Sequence, residues 1–283
     1  MVILITGCRS GFGLLAAVRA AQCGHTVYAG LRDLQTAGEL ERRSEGLDVR
    51  PVQLDVTSAA DRERVVDAIL AEHGGLDALV NNAGVAIGGF QEEVTEAEVR
   101  KVFEVNVFAV WSLTRLVLPH MRAAGSGHIV NVSSVAGRIA LPGLGVYAGS
   151  KYALEGMTES LRHEVAPLGI SVSLVQPGPY RTDMTTGPNR RVTPAAADPD
   201  SPYAARTAHA EDLYHRFIDK MGDPQEVADR IVALLHARNP RLRHPMGPGA
   251  KARLAFRWLF PFSLWEWAIR RLTGARNAVK TDR

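Results

Sequence analysis

Val2-Ile3-Leu4-Ile5-Thr6-Gly7-Cys8-Arg9-Ser10-Gly11-Phe12-Gly13 begins with a branched apolar run and ends in a glycine-rich turn. The apolar run favours a strand, and the amphipathic stretch Phe12–Cys23 that follows favours a helix. Glycines at such a junction let the backbone turn tightly and approach a pyrophosphate, whose charge a helix N-terminus favours. The spacing is G-x-x-x-G-x-G, at Gly7, Gly11 and Gly13, rather than the G-x-G-x-x-G of the common dinucleotide fingerprint. Taken alone, it is equally a strand–helix connection that binds nothing.

The same alternation continues outward. Apolar runs recur at Thr26–Ala29, Val49–Leu54, Ala78–Val80, His128–Val132 and Ser171–Val175. Helical patterns lie between them at Ala59–His73, Ala97–Met121 and Tyr147–Ala166. This order predicts an α/β, Rossmann-like, doubly wound parallel sheet of about seven strands with helices on both faces. Ligands then bind beyond the carboxyl ends of the strands. The whole of 1–283 reads as one domain. Residues 178–210 show no clean period, which predicts a substrate loop over about 178–222. Helices are expected near Glu211–Met221 and over Pro224–Ala237, the second with Asp223 as N-cap. A last strand is expected at Arg241–Met246.

Composition narrows the function. Of 283 residues, 46% are apolar, enough for a sizeable core. No apolar run approaches the roughly 20 residues that cross a bilayer, and the opening residues carry no leader pattern. Cys8 and Cys23 can form neither a disulfide framework nor a metal site, which favours a reducing, cytoplasmic setting. The nine histidines are scattered, and His209 with His215 reads as solvated surface, so no metal is expected. A net charge of +3 argues against a nucleic-acid partner. The charge is uneven, because the chain from Arg241 onward carries +8 and the remainder −5. An aromatic, basic extension over about 250–283 holds the run Leu254–Leu272, broken by Pro261. It reads first as an apolar cap over a pocket or a subunit contact. Contact with a membrane surface is the less favoured reading.

Three further motifs carry chemistry: Asn81-Asn82-Ala83-Gly84 after one strand, Ser133-Ser134 after another, and Tyr147-x-x-x-Lys151 opening a helix. Tyr and Lys four residues apart share a helix face. An ammonium beside a phenol favours the phenolate, so Lys151 is expected to lower the Tyr147 pKa. Alone, Tyr-x-x-x-Lys is usually an ordinary exposed helix face.

In this order and spacing, the motifs over residues 2–182 resemble the short-chain dehydrogenase/reductase family, with a flavour of hydroxysteroid and retinol dehydrogenases. The resemblance implies an NAD(P)-dependent oxidoreductase that interconverts an alcohol and a ketone or aldehyde. It implies Tyr147 as general acid/base, Ser134 as partner of the substrate oxygen, and Ser133 as a structural neighbour. Lys151 would hold the nicotinamide ribose, and Asn106 would join it through a water relay. Gly7, Arg9, Ser10, Gly11, Phe12 and Gly13 would cradle the pyrophosphate. Asp55 with Val56 would meet the adenine, Asn82, Ala83 and Gly84 the adenosine side. Pro177, Gly178 and Thr182 would hold the carboxamide.

The second strand ends in Gly30-Leu31-Arg32-Asp33, offering leucine where an NAD-binding acid would stand. Arg32 and Arg9 suit a 2′-phosphate, so NADP(H) is the expected cofactor and NAD(H), through Asp33, the second choice. The substrate is expected to be a lipophilic steroid-like or retinoid-like molecule. The alternatives are a reductase of small carbonyls or acyl-type ketones, and a non-catalytic NADP-binding sensor. The two long helices Ala97–Met121 and Tyr147–Ala166 are the expected faces of a homodimer or homotetramer.

Overall fold

A computed structural model describes residues 1–187 and 190–273. Seven strands, β1 (Val2–Thr6), β2 (Thr26–Leu31), β3 (Val49–Gln53), β4 (Ala78–Asn81), β5 (Gly127–Val132), β6 (Ile170–Pro177) and β7 (Arg243–Met246), form one sheet. Their order is β3-β2-β1-β4-β5-β6-β7, and every pairing is parallel. The expected α/β doubly wound fold is therefore observed. The chain winds outward from β1 to β3, then returns to β4 on the other side of β1. That reversal opens a crevice at the carboxyl ends of β1 and β4.

The helices are α1 (Gly11–Gln22), α2 (Gly38–Arg43), α3 (Ala59–His73), α4 (Glu96–Phe103), α5 (Ala109–Ala124), α6 (Gly145–Val165), α7 (Ala204–Ile218), α8 (Pro224–Leu235), α9 (Ala250–Leu259) and α10 (Phe262–Leu272). Strand alternation sorts the core into two layers. Ile3 and Ile5 of β1 pack with α1 and α8, through residues such as Leu14, Ala17, Val227 and Ile231. Leu4 faces the other way, toward Ile69 of α3 and Leu113 and Val117 of α5. Each such buried aliphatic side chain contributes roughly 1.5–3 kcal/mol. The small residues Ala16, Ala17 and Ala20 of α1 are fully buried and let that helix lie close to the sheet.

A one-turn π-bulge at Glu104–Phe108 joins α4 to α5, giving a continuous helix from Glu96 to Ala124. By length and composition alone this helix could cross a membrane, so the expectation that no stretch is long enough needs revision. Its buried residues, however, form the helix layer against β4 and β5.

Two departures from the expected elements have physical causes. The helix expected near Glu211 begins at Ala204, seven residues earlier, and it buries no residue, so it has no apolar stripe to reveal it. The six-residue α2 was not anticipated, because Leu40 is its one buried side chain. Of the extension expected over 250–283, residues 274–283 lie outside the described residues, as do 188–189 of the expected loop.

Candidate active site

The carboxyl ends of the strands enclose a cleft of about 700 Å³. Gly7, Arg9, Ser10, Gly11, Phe12, Arg32, Asp55, Val56, Asn82, Ala83, Gly84, Ser134, Tyr147, Lys151, Pro177, Gly178 and Thr182 all line it. Two expected residues do not. Gly13 faces the loop after β4, where an added Cβ would sit 2.4 Å from both Asn82 Nδ2 and the Gly7 carbonyl. It is a packing glycine. Asn106 is fully buried and ties a loop to a helix: Nδ2 donates to the Val85 carbonyl and to Ser150 Oγ, and Oδ1 accepts from Val85 N. Its side chain does not bond Lys151, and its direct partner on α6 is Ser150.

The glycine turn is built for close approach. Gly7 adopts φ +73°, and a Cβ there would lie 2.8 Å from Ala83 Cα. Thr6 Oγ1 accepts from the amides of Asn82 and Ala83, while Asn82 Nδ2 donates to the carbonyls of Thr6 and Gly7. The Asn82 side chain therefore staples the end of β4 to the turn after β1.

At the other end of the cleft, Tyr147 occupies the first turn of α6 and Lys151 the next. Lys151 is buried, and its Nζ donates to the Val132 carbonyl at 2.9 Å. Burial pushes its pKa down to about 8, opposed in part by Glu155 one turn on. Glu155 is itself buried and accepts from Gln176 and Arg243 at 2.9 Å each. Burial raises the Tyr147 hydroxyl above the ordinary phenol range, with Ser134 acting in the opposite sense. The expected lowering by Lys151 is thus not found. The ammonium is held at the Val132 carbonyl, 5.8 Å from the centre of the Tyr147 ring. Ser134 Oγ accepts from Ala136 N and donates to the Pro177 carbonyl at 3.3 Å. The buried Ser133 Oγ has no hydrogen-bond partner among the described residues.

At the adenosine end, Leu31 is buried and Arg32 is exposed. The Asp33 carboxylate accepts from Gln35 N at 2.9 Å and caps the turn Leu34–Thr36. Asp55 Oδ1 accepts from the amide and hydroxyl of Thr57. Arg9 was expected to face a phosphate, yet its guanidinium pairs with Asp183 at 3.2 Å. Thr36, Val85, Lys101, Glu104 and Arg191 also line the cleft and were not foreseen, because none belongs to a motif with a readable spacing.

The elongated cleft, its glycine cradle and its buried lysine fit a dinucleotide lying across the switch point. The family model described as short chain dehydrogenase matches residues 1–192. The chain is 35% identical to a 3-ketodihydrosphingosine reductase of Bacteroides thetaiotaomicron, over 95% of this chain and 96% of that one. It is 36% identical to the human 17-beta-hydroxysteroid dehydrogenase type 1, over 86% and 76% respectively. A short-chain dehydrogenase/reductase of Burkholderia phymatum, solved in complex with NAD, superposes with a TM-score of 0.78 at 29% identity, covering 93% of this chain and 94% of the other.

Proposed function

The chain belongs to the short-chain dehydrogenases and is an oxidoreductase of alcohol or carbonyl groups; on that premise we propose that it interconverts a lipophilic alcohol and its ketone or aldehyde with NADP(H). The observation that carries this reading is the convergence of Ser134, Tyr147 and buried Lys151 on one wall of the cleft. The nicotinamide, when bound, supplies or accepts the hydride. Ser134 positions the substrate oxygen with its hydroxyl. Tyr147 gives that oxygen a proton in reduction and removes it in oxidation. Lys151, buried one turn from Tyr147, would hold the ribose of the bound dinucleotide. Asn106 acts through the loop and helix it joins.

The preference for NADP(H) rests on the end of β2. No carboxylate stands at Leu31, the Asp33 oxygen Oδ1 is committed to its cap, and the exposed Arg32 guanidinium suits a 2′-phosphate. A lipophilic substrate is supported by what the relatives are named for, a sphingoid ketone and a hydroxysteroid. A homodimer or homotetramer through the long helices is supported by Phe108 and Trp111, each 52% exposed on that face.

The test follows NADPH absorbance against long-chain keto-lipids, steroids, retinoids and small ketones. Turnover of a lipophilic carbonyl in preference to the small ones is expected. Turnover of small ketones alone would overturn the substrate class. NADPH binding without turnover of any carbonyl would make the protein a sensor.

A further inference from the structure

The helical pair α9–α10 has two apolar faces. The inner face packs Leu254 and Trp265 on Val135, Ile139 and Ala250, immediately beside Ser134. Arg253 also turns inward, its Nη2 donating to the Pro248 carbonyl at 3.1 Å and lying beside Gly178 of the cleft wall. This inner face packs the extension against the short turn after Ser134. The outer face is not covered by any described residue. Trp258 is 79% exposed and Phe262 60%, with Leu259, Phe260 and Trp267 exposed around them. Four of these five fall within 258–262, where the chain turns between the two helices.

Basic residues run along the same two helices. Lys251, Arg257, Arg270 and Arg271 face one acid, Glu266, which Arg270 already pairs at 2.8 Å. The Arg257 guanidinium lies 5.2 Å over the Phe262 ring and that of Arg271 lies 4.9 Å over Trp267. Long basic side chains laid along aromatic rings hold charge at the level of a headgroup layer while the rings reach below it. A second copy meeting this surface about a twofold axis would bring the same arginines together, and like charges repel.

We infer that α9–α10 docks this chain on an anionic lipid bilayer, with the 258–262 turn inserted and the arginines at the phosphate level. The inner face of the same two helices packs on Val135 and Ile139, next to Ser134, and Arg253 lies beside Gly178 of the cleft wall, so a lipophilic substrate drawn from the bilayer would have a short path to the cleft. This deepens the lipophilic-substrate reading and rests on it for its purpose, not for its test.

The experiment is cosedimentation of the full chain with vesicles of phosphatidylcholine, with and without phosphatidylglycerol. Binding to the anionic vesicles, weakened by salt, is expected. Trp258→Ser with Phe262→Ser, and separately Arg270→Gln with Arg271→Gln, should each weaken binding by roughly tenfold or more. All four positions are exposed, so far-UV circular dichroism and NADPH affinity should stay at native values. A native chain that ignores both vesicle types, or binds them equally, overturns the inference. So does a pair of variants that bind as the native chain does, or that only split a native oligomer. Vesicle binding is read without turnover. A chain that binds vesicles yet reduces small ketones alone would sustain this surface while removing the substrate reading.

Discussion

Lys151 places an ammonium where the surroundings favour its neutral form, and that has a consequence for stability. Its pKa falls from an ordinary 10.5 to about 8 on folding. Below about pH 8 both folded and unfolded chains carry the proton, and the folded chain bears the full cost of burying it. Between about 8 and 10.5 the unfolded chain binds more protons, so stability rises with pH, and above 10.5 the cost is gone. Unfolding of the cofactor-free protein, compared with Lys151→Met, should therefore show the native chain gaining on the variant as pH rises through this window. A pH-independent difference would mean that the ammonium is solvated. The end of β2 gives a second prediction. A charge-assisted contact to a 2′-phosphate is worth roughly 1.5–3 kcal/mol, or about tenfold to a hundredfold in affinity. NADPH should bind more tightly than NADH, and Leu31→Asp with Arg32→Ala should reverse the order, read as dissociation constants at one salt concentration. Equal native affinities would leave the Asp33 carboxylate as the reader of the ribose. All the expected site residues except Gly13 and Asn106 line the cleft, because most follow a strand end and Tyr147 and Lys151 lie in the first turns of α6. Those two stand off the cleft lining: Gly13 is packed against Asn82 and the Gly7 carbonyl, and the Asn106 side chain is bonded to Val85 and Ser150.

The junction between β1 and α1 works as a unit because its glycines serve two purposes. Gly7 brings backbone close to Ala83, and Gly13 leaves room for the Asn82 amide that joins this turn to β4. Gly13→Ala has no space, since a backbone carbonyl and a hydrogen-bonded amide both lie 2.4 Å from the new carbon. We expect a loss of about 1–3 kcal/mol in urea unfolding, together with weaker NADPH binding. An unchanged midpoint would mean that the turn relaxes freely. Elements with a buried stripe or a branched apolar run were legible within a few residues, and α3 matches its expected span Ala59–His73. Elements without one were not: α7 buries nothing, and α2 buries only Leu40. The π-bulge at Glu104–Phe108 leaves the helical period on both sides intact, so periodicity read Ala97–Met121 as one helix.

Over the whole molecule, the cleft, the long helices and the α9–α10 surface are separate regions with separate tests. Trp111 lies half-exposed beside the exposed Phe108, so Trp111→Glu should shift the native oligomer toward monomer in sedimentation. A native monomer would remove that interface. The segregation of basic residues toward the C-terminus was legible as a charge count, but which face of α9–α10 turns inward was not, because aromatic residues occupy both faces. What unites the regions is the cleft's carbonyl and alcohol chemistry, in which we propose that the Tyr147 phenol moves the proton. Tyr147→Phe removes only a hydroxyl, so the ring can still pack and NADPH should bind with near-native affinity. Losing a general acid/base typically costs ~10²–10⁴-fold in rate. NADPH-dependent turnover by Tyr147→Phe, measured beside its NADPH dissociation constant, should fall by that factor while the constant holds; turnover within a few-fold of the native enzyme would contradict the account.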